Sequence, residues 1–340
     1  MSISVSDFFH VLNDPKLSFL TSALDPQQVQ QRFQTQLNPY QKLQLQEIRV
    51  IRYKPQRRCL IEYDVIIEEA SQISQMTWIG KVRGKGLDQS SYQLQKILWK
   101  LGFHDDSPDG ISVPETMGMI PEWNMWLQRK VPGVTATSLL TQTQGLELSR
   151  RIAQAVHKLH QTFIVPHRTY SISDELDILH DRLAQVAPKF PHWQQRLKQV
   201  LAGCDRLAAT ITDPQFNGIH RDFYPDQVLV DGSRLYLLDF DLYTGGDPAL
   251  DIGNFNGHLI ELGLRTFGNA DVLTPQQKAL TDQFLQLNGE KFHHSIDVYT
   301  TLTLVRHIYL STQFLNRQPF TETILELCEQ RLENSLLKFV

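Results

Sequence analysis

The sequence predicts an α+β protein with a sheet-containing first part and a mainly helical second part. The β-rich runs of the first part are Glu47–Tyr53, Arg58–Ile67, Met76–Arg83, Ile111–Val113 and Asn124–Gln128. After residue 133, apolar residues recur at the three- and four-residue spacing of helices that bury one face. Strands grouped in one part of a chain and helices in the next are typical of an α+β fold.

The region before the first strand is predicted to be a helical extension. Residues 1–45 are rich in glutamine, but apolar residues such as Phe33 and Leu37 interleave the glutamines, and Asp25-Pro26 is typical of a helix start. One further helix is predicted between the third and fourth strands, at residues 88–101, where apolar residues follow a helical period. The first part is therefore predicted to hold five strands and one helix.

Helices are predicted for most of the second part. They cover 148–163, 174–186, 193–208, 274–288, 295–314 and 321–337. Thr274-Pro275 begins one of them with a capping threonine and a proline in the first turn. Pro132-Gly133 interrupts the pattern after the fifth strand, so we predict domains of residues 1–133 and 134–340, joined near residues 128–133.

Composition excludes several classes of protein. The formal charge is −4 and no long basic run occurs, which argues against nucleic acid as a partner. No apolar stretch approaches the length of a membrane span, and the N-terminus lacks a signal-peptide pattern. Cys59, Cys204 and Cys328 match no zinc or disulfide spacing. We therefore expect a cytoplasmic protein with buried or half-buried thiols, away from membranes.

One stretch, from residue 220 to residue 251, carries the candidate chemistry. Its apolar runs 228–230 and 235–238 flank Asp231-Gly232, which predicts a β-hairpin. Asp222 precedes the first strand of this hairpin, and Asp239 follows the second. Two acids at one end of a rigid element suit a site in which one carboxylate handles a substrate proton and the other holds a cation.

This stretch resembles the aminoglycoside phosphotransferase and choline kinase-like family, relatives of the protein kinases. The pattern of that family is His-x-Asp, four residues, Asn, a hairpin, an apolar run ending in Asp, and Gly-Asp-Pro-x-x-Asp. His220-Arg221-Asp222, Asp239 and Gly246-Asp247-Pro248-Ala249-Leu250-Asp251 match it, and Gln227 replaces the Asn. The resemblance implies a two-lobed protein kinase-like fold with an antiparallel sheet in a nucleotide-binding N-terminal lobe. It also implies a catalytic and substrate-binding C-terminal lobe, ATP, Mg²⁺ and a small-molecule hydroxyl acceptor.

The resemblance gives roles to the acids of the second lobe. Asp222 is expected to be the catalytic base, which orients the acceptor hydroxyl and takes its proton. Asp239 and Gln227 are expected to hold Mg²⁺, and Asp241 to help if the chain stays extended after Asp239. In addition, His220 and Asp251 are expected to brace the catalytic loop. The roles of Asp222, Asp239, His220 and Asp251 follow from matched positions of the motif, whereas Gln227 departs from it.

The nucleotide contacts of the first lobe are expected on strands and turns. Lys81, on the third strand, is expected to meet the α- and β-phosphates, with Arg83 as its rival on the same face. The family has a Glu in the following helix to pair with this lysine. Residues 88–101 contain no Glu, and Gln93 or Gln95 is expected to hold the lysine instead.

A basic turn takes the place of a glycine-rich phosphate loop. Arg57 and Arg58, in Lys54-Pro55-Gln56-Arg57-Arg58, are expected over the phosphates, and a solvated basic turn is the alternative. By position alone, Gln128 and Lys130 are expected near the adenine ring. Glu261, Asp297 and Arg306 are candidates for lining the acceptor pocket, and the sequence does not choose among acceptors.

Three other functions compete with the small-molecule kinase. Gln227 and the absent helix Glu favour a kinase-like module that binds nucleotide without transferring phosphate. The run Leu237-Leu238-Asp239-Phe240-Asp241 resembles that of a haloacid-type phosphatase, which predicts strands alternating with helices on both sides. A protein kinase would need Asp-Phe-Gly and Ala-Pro-Glu segments, and the sequence has no room for them before Gly245.

Overall fold

The structure is a computed structural model that describes residues 3–37, 42–69 and 72–337. The chain divides into two compact units, Met1–Gly133 and Val134–Val340. The predicted α+β class is confirmed, because the extended sheet lies in the first unit and long helices dominate the second.

The first unit is built on a six-stranded sheet in the order β1-β2-β3-β4-β7-β6. Its strands are β1 (Ser4–Ser6), β2 (Lys42–Lys54), β3 (Arg58–Glu69), β4 (Gln72–Arg83), β6 (Thr116–Ile120) and β7 (Met125–Arg129). A separate two-residue strand, β5, spans Ile111–Ser112. Strand β1 pairs in parallel with β2, and every other neighbouring pair in this sheet is antiparallel. Helix α3 (Gln89–Lys100) begins at Asp88, whose carboxylate accepts from the amide of Ser91.

The N-terminal segment covers one face of this sheet. It contains the short helices α1 (Leu20–Ala23) and α2 (Pro26–Arg32), followed by a π-helical turn at Phe33–Leu37. Phe33 packs edge-on against Tyr63 with ring centroids 4.9 Å apart, and it also contacts Trp78. The segment therefore completes the hydrophobic core of the first unit.

Two details of the first unit differ from the prediction. The fourth strand of the antiparallel sheet is β6 and not residues 111–113, because Gly118 and the mixed sequence around it gave no β pattern. The extension is only partly helical, since β1 precedes it and β2 already begins at Lys42. Residues 1–2 and 38–41, also part of the predicted helical region, lie outside the described residues.

The second unit is mainly helical. Its helices are α4 (Ala136–Leu140), α5 (Gly145–His160), α6 (Ile172–Val186), α7 (Gln194–Ala208), α8 (Ala249–Phe267), α9 (Thr274–Asn288), α10 (His293–Ser311) and α11 (Thr321–Leu337). Its short strands are β8 (Val134–Thr135), β9 (Asn217–Ile219), β10 (Val228–Asp231), β11 (Arg234–Leu237) and β12 (Thr244–Gly246). Strands β10 and β11 form the predicted hairpin.

Close packing of α8 against α10 supports the site described below. A Cβ atom on Gly253 would lie 2.4 Å from the Cβ of Tyr299, and one on Gly257 would lie 2.6 Å from the Cγ2 of Thr303. Glycine at these two positions lets the helix backbones approach. No helix within the described residues is long and apolar enough to cross a membrane.

Candidate active site

Asp251, on the first turn of α8, fixes the loop that carries Asp222. Its carboxylate is fully buried and accepts hydrogen bonds from the amides of His220 (2.9 Å) and Arg221 (2.7 Å). The Nε2 atom of His160, at the end of α5, lies 2.8 Å from the same carboxylate. Hydrogen bonds to a buried charge are strong and directional, so Asp251 sets the backbone directly before Asp222. These are the contacts that a bracing residue would make, and the bracing role in catalysis stays a prediction.

His220 and Gln227 bring Asp239 to the same loop. The Nε2 atom of His220 donates to the carbonyl of Leu238 (2.7 Å), and the amide of Leu238 donates to the carbonyl of Gln227 (2.9 Å). Leu238 is the residue before Asp239. The candidate base and both candidate metal ligands are thus held in adjoining segments of one hydrogen-bonded unit.

Left-handed backbone conformations occur at both candidate acids, at the residue before Asp222 and at Asp239 itself. Arg221, next to Asp222, has φ 69°, and Asp239 itself has φ 58°. Non-glycine residues adopt this region at a cost of roughly 1 kcal/mol or more, and such positions cluster at active sites. The hydrogen bond from the Arg221 amide to Asp251 stabilises the first of these conformations.

Two polar side chains of the loop have no partner among the residues that the structure describes. Within the described residues, no hydrogen bond or ion pair involves the half-buried carboxylate of Asp222 or the side-chain amide of Gln227. Gln227 is nevertheless only 7% exposed. A side-chain amide without a partner among the described residues, in a segment bonded to that of a carboxylate, fits a hard cation such as Mg²⁺, which takes few protein ligands. No cluster of three or more His, Cys, Asp or Glu suited to a metal occurs among the described residues.

Asp241 lies where the chain has turned. Residues Phe240–Leu242 form a short 3₁₀ helix that begins after Asp239. The expectation that Asp241 shares the face of Asp239 on an extended chain is therefore wrong in its premise. A role for its half-buried carboxylate at the metal stays a prediction.

One face of the first-unit sheet carries the basic residues. Side chains alternate along a strand, and Trp78 and Val82 belong to the core cluster on the N-terminal side, so Lys81 points to the opposite face. Cross-strand partners share a face. This face has Lys54, Arg58 and Arg83 in one row, and Arg52 and Lys81 in the next. Two adjacent rows of cations on one sheet face suit a polyanion.

Lys81 is half-buried beside an aromatic ring. Its Nζ atom lies 4.6 Å from the ring centroid of Trp126, its cross-strand partner on β7. Its rival Arg83 forms an ion pair with Asp88 (3.0 Å). The ion pair with Asp88 makes Arg83 a weaker candidate for a phosphate contact, and the contact expected of Lys81 stays a prediction.

The basic turn is crowded with like charges and is anchored from the N-terminal segment. Repulsion from Arg58, followed by burial, lowers the pKa of Lys54. Gln56, at φ 58°, donates its amide to the buried carboxylate of Asp14 (2.6 Å), which also accepts from the hydroxyl of Tyr53 (2.7 Å). A bound polyanion would relieve this repulsion. A phosphate-binding turn and a solvated basic turn both stay open as predictions.

The tight fold of this turn also explains a nearby glycine. The amide of Gly84 donates to the carbonyl of Arg57 (2.8 Å), and a Cβ atom on Gly84 would lie 2.5 Å from the carbonyl oxygen of Gln56. Arg57 is exposed, and Arg58 is half-buried on β3. Both guanidinium groups stay candidates for phosphate contact.

The residues predicted near adenine, and one of the two predicted supports of Lys81, already make other contacts. Gln95 is buried, and its side-chain nitrogen donates to the carbonyl of Pro114 (2.7 Å) and to Oε1 of Gln128 (3.2 Å). The ammonium group of Lys130 pairs with the buried carboxylate of Glu62 (2.6 Å). The backbone amide of Lys130 donates to the carbonyl of Thr77 on β4. An adenine contact at Lys130 is thus limited to its carbonyl. Gln93, the other proposed support for Lys81, is exposed.

The three candidate acceptor-lining residues have different surroundings. Glu261 is buried and pairs with Arg265 (3.0 Å), whereas Asp297 is exposed near His293. Arg306 pairs with buried Glu175 (3.1 Å). None of these contacts by itself indicates a ligand.

Sequence reasoning missed Asn254 and gave no role to His160. Asp251, Asn254 and His258 recur at spacings of three and four in the otherwise apolar helix α8. Such a polar stripe on a buried helix was a usable signal, because buried polar groups need partners. His258 stacks on the ring of Tyr224 with centroids 4.6 Å apart, directly beyond the loop of Asp222.

The model of the phosphotransferase enzyme family matches residues 94–264, just over half of the chain. No curated protein matches the chain at a significant level.

Solved structures share its fold at low sequence identity. A choline kinase from Cryptosporidium parvum Iowa II has TM-score 0.56 and 10% identity over 92% of this chain and 97% of that one. The aminoglycoside phosphotransferase APH(4)-Ia has TM-score 0.55 and 14% identity over 92% and 98%. A glucosamine kinase has TM-score 0.52 and 13% identity over 95% and 100%. A thermostable mutant of APH(4)-Ia in complex with AMP-PNP and hygromycin B has TM-score 0.54 and 15% identity over 90% and 97%. These likenesses confirm the predicted kinase-like fold.

Proposed function

The chain belongs to the phosphotransferase enzyme family, and from this premise we propose that it transfers the γ-phosphate of ATP to a hydroxyl group of a small molecule, with Mg²⁺. The observation that carries the proposal is the single hydrogen-bonded unit that joins the segments of Asp222, Gln227 and Asp239. Phosphoryl transfer depends mainly on positioning and on neutralising charge. In this proposal the unit positions the two acids, and the cation that they would hold neutralises charge at the phosphates.

Asp222 acts as the base in this proposal. Its carboxylate has no partner within the described residues, so it is available to the acceptor hydroxyl, which it orients and from which it takes the proton. Asp239 and the Gln227 amide would hold Mg²⁺, which supplies charge neutralisation at the phosphates when bound. Asp251 and His220 hold the loop in place without touching the substrate.

The nucleotide lies, in this proposal, on the basic face of the first-unit sheet. Lys81, Arg58 and Arg57 contact the phosphates, and the adenine ring lies toward Gln128 and the carbonyl of Lys130. Two observations support this direction: basic residues concentrate near the turn after β2, and Gln128 lies further along the same face beyond Ile79. The thermostable mutant of APH(4)-Ia, which shares the fold of this chain, binds AMP-PNP in its complex. This supports ATP as the phosphate donor.

The acceptor is proposed to be a small molecule such as an amino alcohol, a sugar or an aminoglycoside. After Asp239 the chain passes through one 3₁₀ turn and β12 into α8, which leaves no segment for peptide docking between them. The mainly helical region after Asp251 also disfavours the haloacid-type phosphatase. Buried thiols at Cys59, Cys204 and Cys328 support the proposal of a reducing, cytoplasmic location.

The test is phosphate transfer by the wild type and by Asp222→Asn. Each protein is incubated with Mg-ATP and a panel of amino alcohols, sugars and aminoglycosides, and phosphorylated products are counted by mass spectrometry. Loss of the base should lower kcat by about 10²- to 10⁴-fold. The matched control is Asp226→Asn, an exposed acid of the same loop bonded to Thr137, which should stay within about threefold of wild type.

A second candidate is a nucleotide-binding module without transfer, favoured by Gln227 and by the absence of a Glu in α3. It predicts equal, background turnover for the wild type and Asp222→Asn, with ATP binding retained. Equal rates in the two proteins for every acceptor would therefore overturn the enzyme proposal.

A further inference from the structure

A chain of contacts reaches the loop of Asp222 from the side of Arg221. The guanidinium carbon of Arg221 lies 3.8 Å from the ring centroid of Tyr170. The hydroxyl of Tyr170 donates to Oε2 of Glu175 on the first turn of α6 (2.6 Å). A cation over an aromatic face and a hydrogen bond to a buried carboxylate are both favourable, so Arg221 is held through Tyr170 to α6.

A second chain of contacts reaches the loop from the side of Phe223. The Nδ2 atom of Asn254 donates to the carbonyl of Phe223 (2.8 Å). Arg306, on α10, donates to Oε1 of Glu175 (3.1 Å) through Nη1 and to Oδ1 of Asn254 through Nη2. Arg306 therefore joins both chains, and the closed path touches the residues on either side of Asp222.

Burial makes this path rigid. The side chains of Arg306 and Glu175 are 20% and 4% exposed, and Asn254 is 1% exposed. A buried ion pair loses hydration and is seldom more stabilising than apolar packing, but it fixes geometry strictly. Asp251 and Asn254 are three residues apart on α8 and so share one face of the helix. One helix face thus holds the backbone before Asp222 through Asp251 and the backbone after it through Asn254.

We propose that Tyr170, Glu175, Asn254 and Arg306 form a clamp that positions Asp222 for phosphoryl transfer. The clamp residues are positioning residues, because they act through the backbone of Arg221 and Phe223. The carboxylate of Asp222 itself has no partner within the described residues, so its place is set by that backbone. The inference rests on the proposed function and removes Arg306 from the candidates for direct acceptor binding.

Asn254→Asp is the sharpest test of the clamp. Aspartate has nearly the same shape and keeps an acceptor for Arg306, but it has no N–H to donate to the carbonyl of Phe223. The matched control is Asn256→Asp, a buried asparagine two residues further on α8 that donates to Thr281 on α9 instead. Both changes add one carboxylate to the same helix, so a general effect of charge appears in both variants.

The first readout is amide hydrogen exchange of residues 220–224, which needs no substrate. Asn254→Asp should speed local exchange by about tenfold or more, and Asn256→Asp should not, because local opening follows local hydrogen bonding. Equal exchange in this segment for the two variants would overturn the clamp. This result is independent of turnover, so it stands even if the protein proves to transfer no phosphate.

The second readout is steady-state kinetics with the acceptor found in the screen, or Mg-ATP hydrolysis where water is the acceptor. Asn254→Asp should lower kcat by about 10- to 100-fold with KM for ATP nearly unchanged, because a small displacement of the base costs rate and not nucleotide binding. In an Asp222→Asn background the same change should have no further effect. Faster exchange with unchanged kcat would overturn the positioning role. Tyr170→Phe keeps the ring beneath Arg221 and should lower kcat by less than Asn254→Asp does. It tests the same clamp if Asn254→Asp fails to fold.

Discussion

Asp251→Asn should destabilise the second unit and slow the reaction together. The buried carboxylate of Asp251 accepts from the amides of His220 and Arg221 and contacts Nε2 of His160. Asparagine has one acceptor oxygen and one donor nitrogen. Its NH₂ group must therefore face at least one donor, and the negative charge that strengthens the other contacts is lost.

The magnitude follows from these three contacts. Loss of one hydrogen bond to a charged acceptor, with its donor left buried and unsatisfied, costs about 1–3 kcal/mol. Weakening of the other two by loss of charge brings the total to about 3 kcal/mol, since charge-assisted bonds are roughly twice as strong as neutral ones. A loss of this size lowers Tm by about 6–12 °C for a unit of this length.

The assay is thermal unfolding followed by circular dichroism, with turnover measured on the same samples. The control is Asp205→Asn, which removes the acid of an exposed His180–Asp205 pair (3.0 Å) and should change stability by less than about 1 kcal/mol. If Asp251→Asn and Asp205→Asn have the same Tm, the buried carboxylate does not hold the loop and the reasoning fails.

Three further outcomes are expected. Asp14→Ala frees the turn after β2 and should raise KM for ATP by about tenfold with kcat retained; unchanged saturation by ATP would contradict the anchoring of the turn. Lys81→Met should lower kcat/KM for ATP by about 10²-fold through lost contact with the phosphates, and an equal effect from Arg83→Met would reassign the role. Burial raises the pKa of Asp247 to about 6, so the folded state binds this proton more tightly than the unfolded chain. The protonated carboxyl of Asp247 contributes fully to the free energy of unfolding below about pH 4. About 3 kcal/mol of that free energy is lost as the pH rises through 6. Asp247→Asn should flatten this part of the pH profile of the free energy of unfolding, and parallel profiles would refute the shift.

Local patterns predicted several elements well. Thr274–Asn288 and Thr321–Leu337 are helices with the predicted bounds, because the apolar stripes, the proline in the first turn and Gly289 at the end of the first helix lie in the sequence itself. The predicted cap by Thr274 is wrong, since Leu273 takes the capping position without a side-chain hydrogen bond. The Asp-Gly turn likewise predicted the hairpin of β10 and β11. These elements need only neighbouring residues to be specified.

Other elements depend on distant residues and were missed. Strand β6 has no β pattern of its own and pairs with β7 through a register shift at Gly118. The N-terminal region was predicted as one helical extension, but it holds β1 and the separate short helices α1 and α2. The side chains of Gln30 and Gln34 bond to the backbone of β2 and so tie these short segments to the sheet. Context of this kind overrides propensity.

The supports of the candidate site were least visible. The motif predicted bracing by His220 and Asp251. The contact of Asn254 with Phe223, and its link to Glu175 through Arg306, join helices far apart in sequence. No spacing rule reports such a path, although the polar stripe on α8 marks one end of it.

Metal binding in the presence of AMP-PNP tests the central claim most directly. Titration with Mn²⁺, followed by electron paramagnetic resonance, compares the wild type with Asp239→Asn and Asp222→Asn. We expect Asp239→Asn to weaken Mn²⁺ binding by about 10²-fold, since one carboxylate ligand of a hard cation is lost, and Asp222→Asn to bind like the wild type. Unchanged Mn²⁺ affinity in Asp239→Asn would contradict the assignment of this acid to the metal, and with it the proposed geometry of transfer.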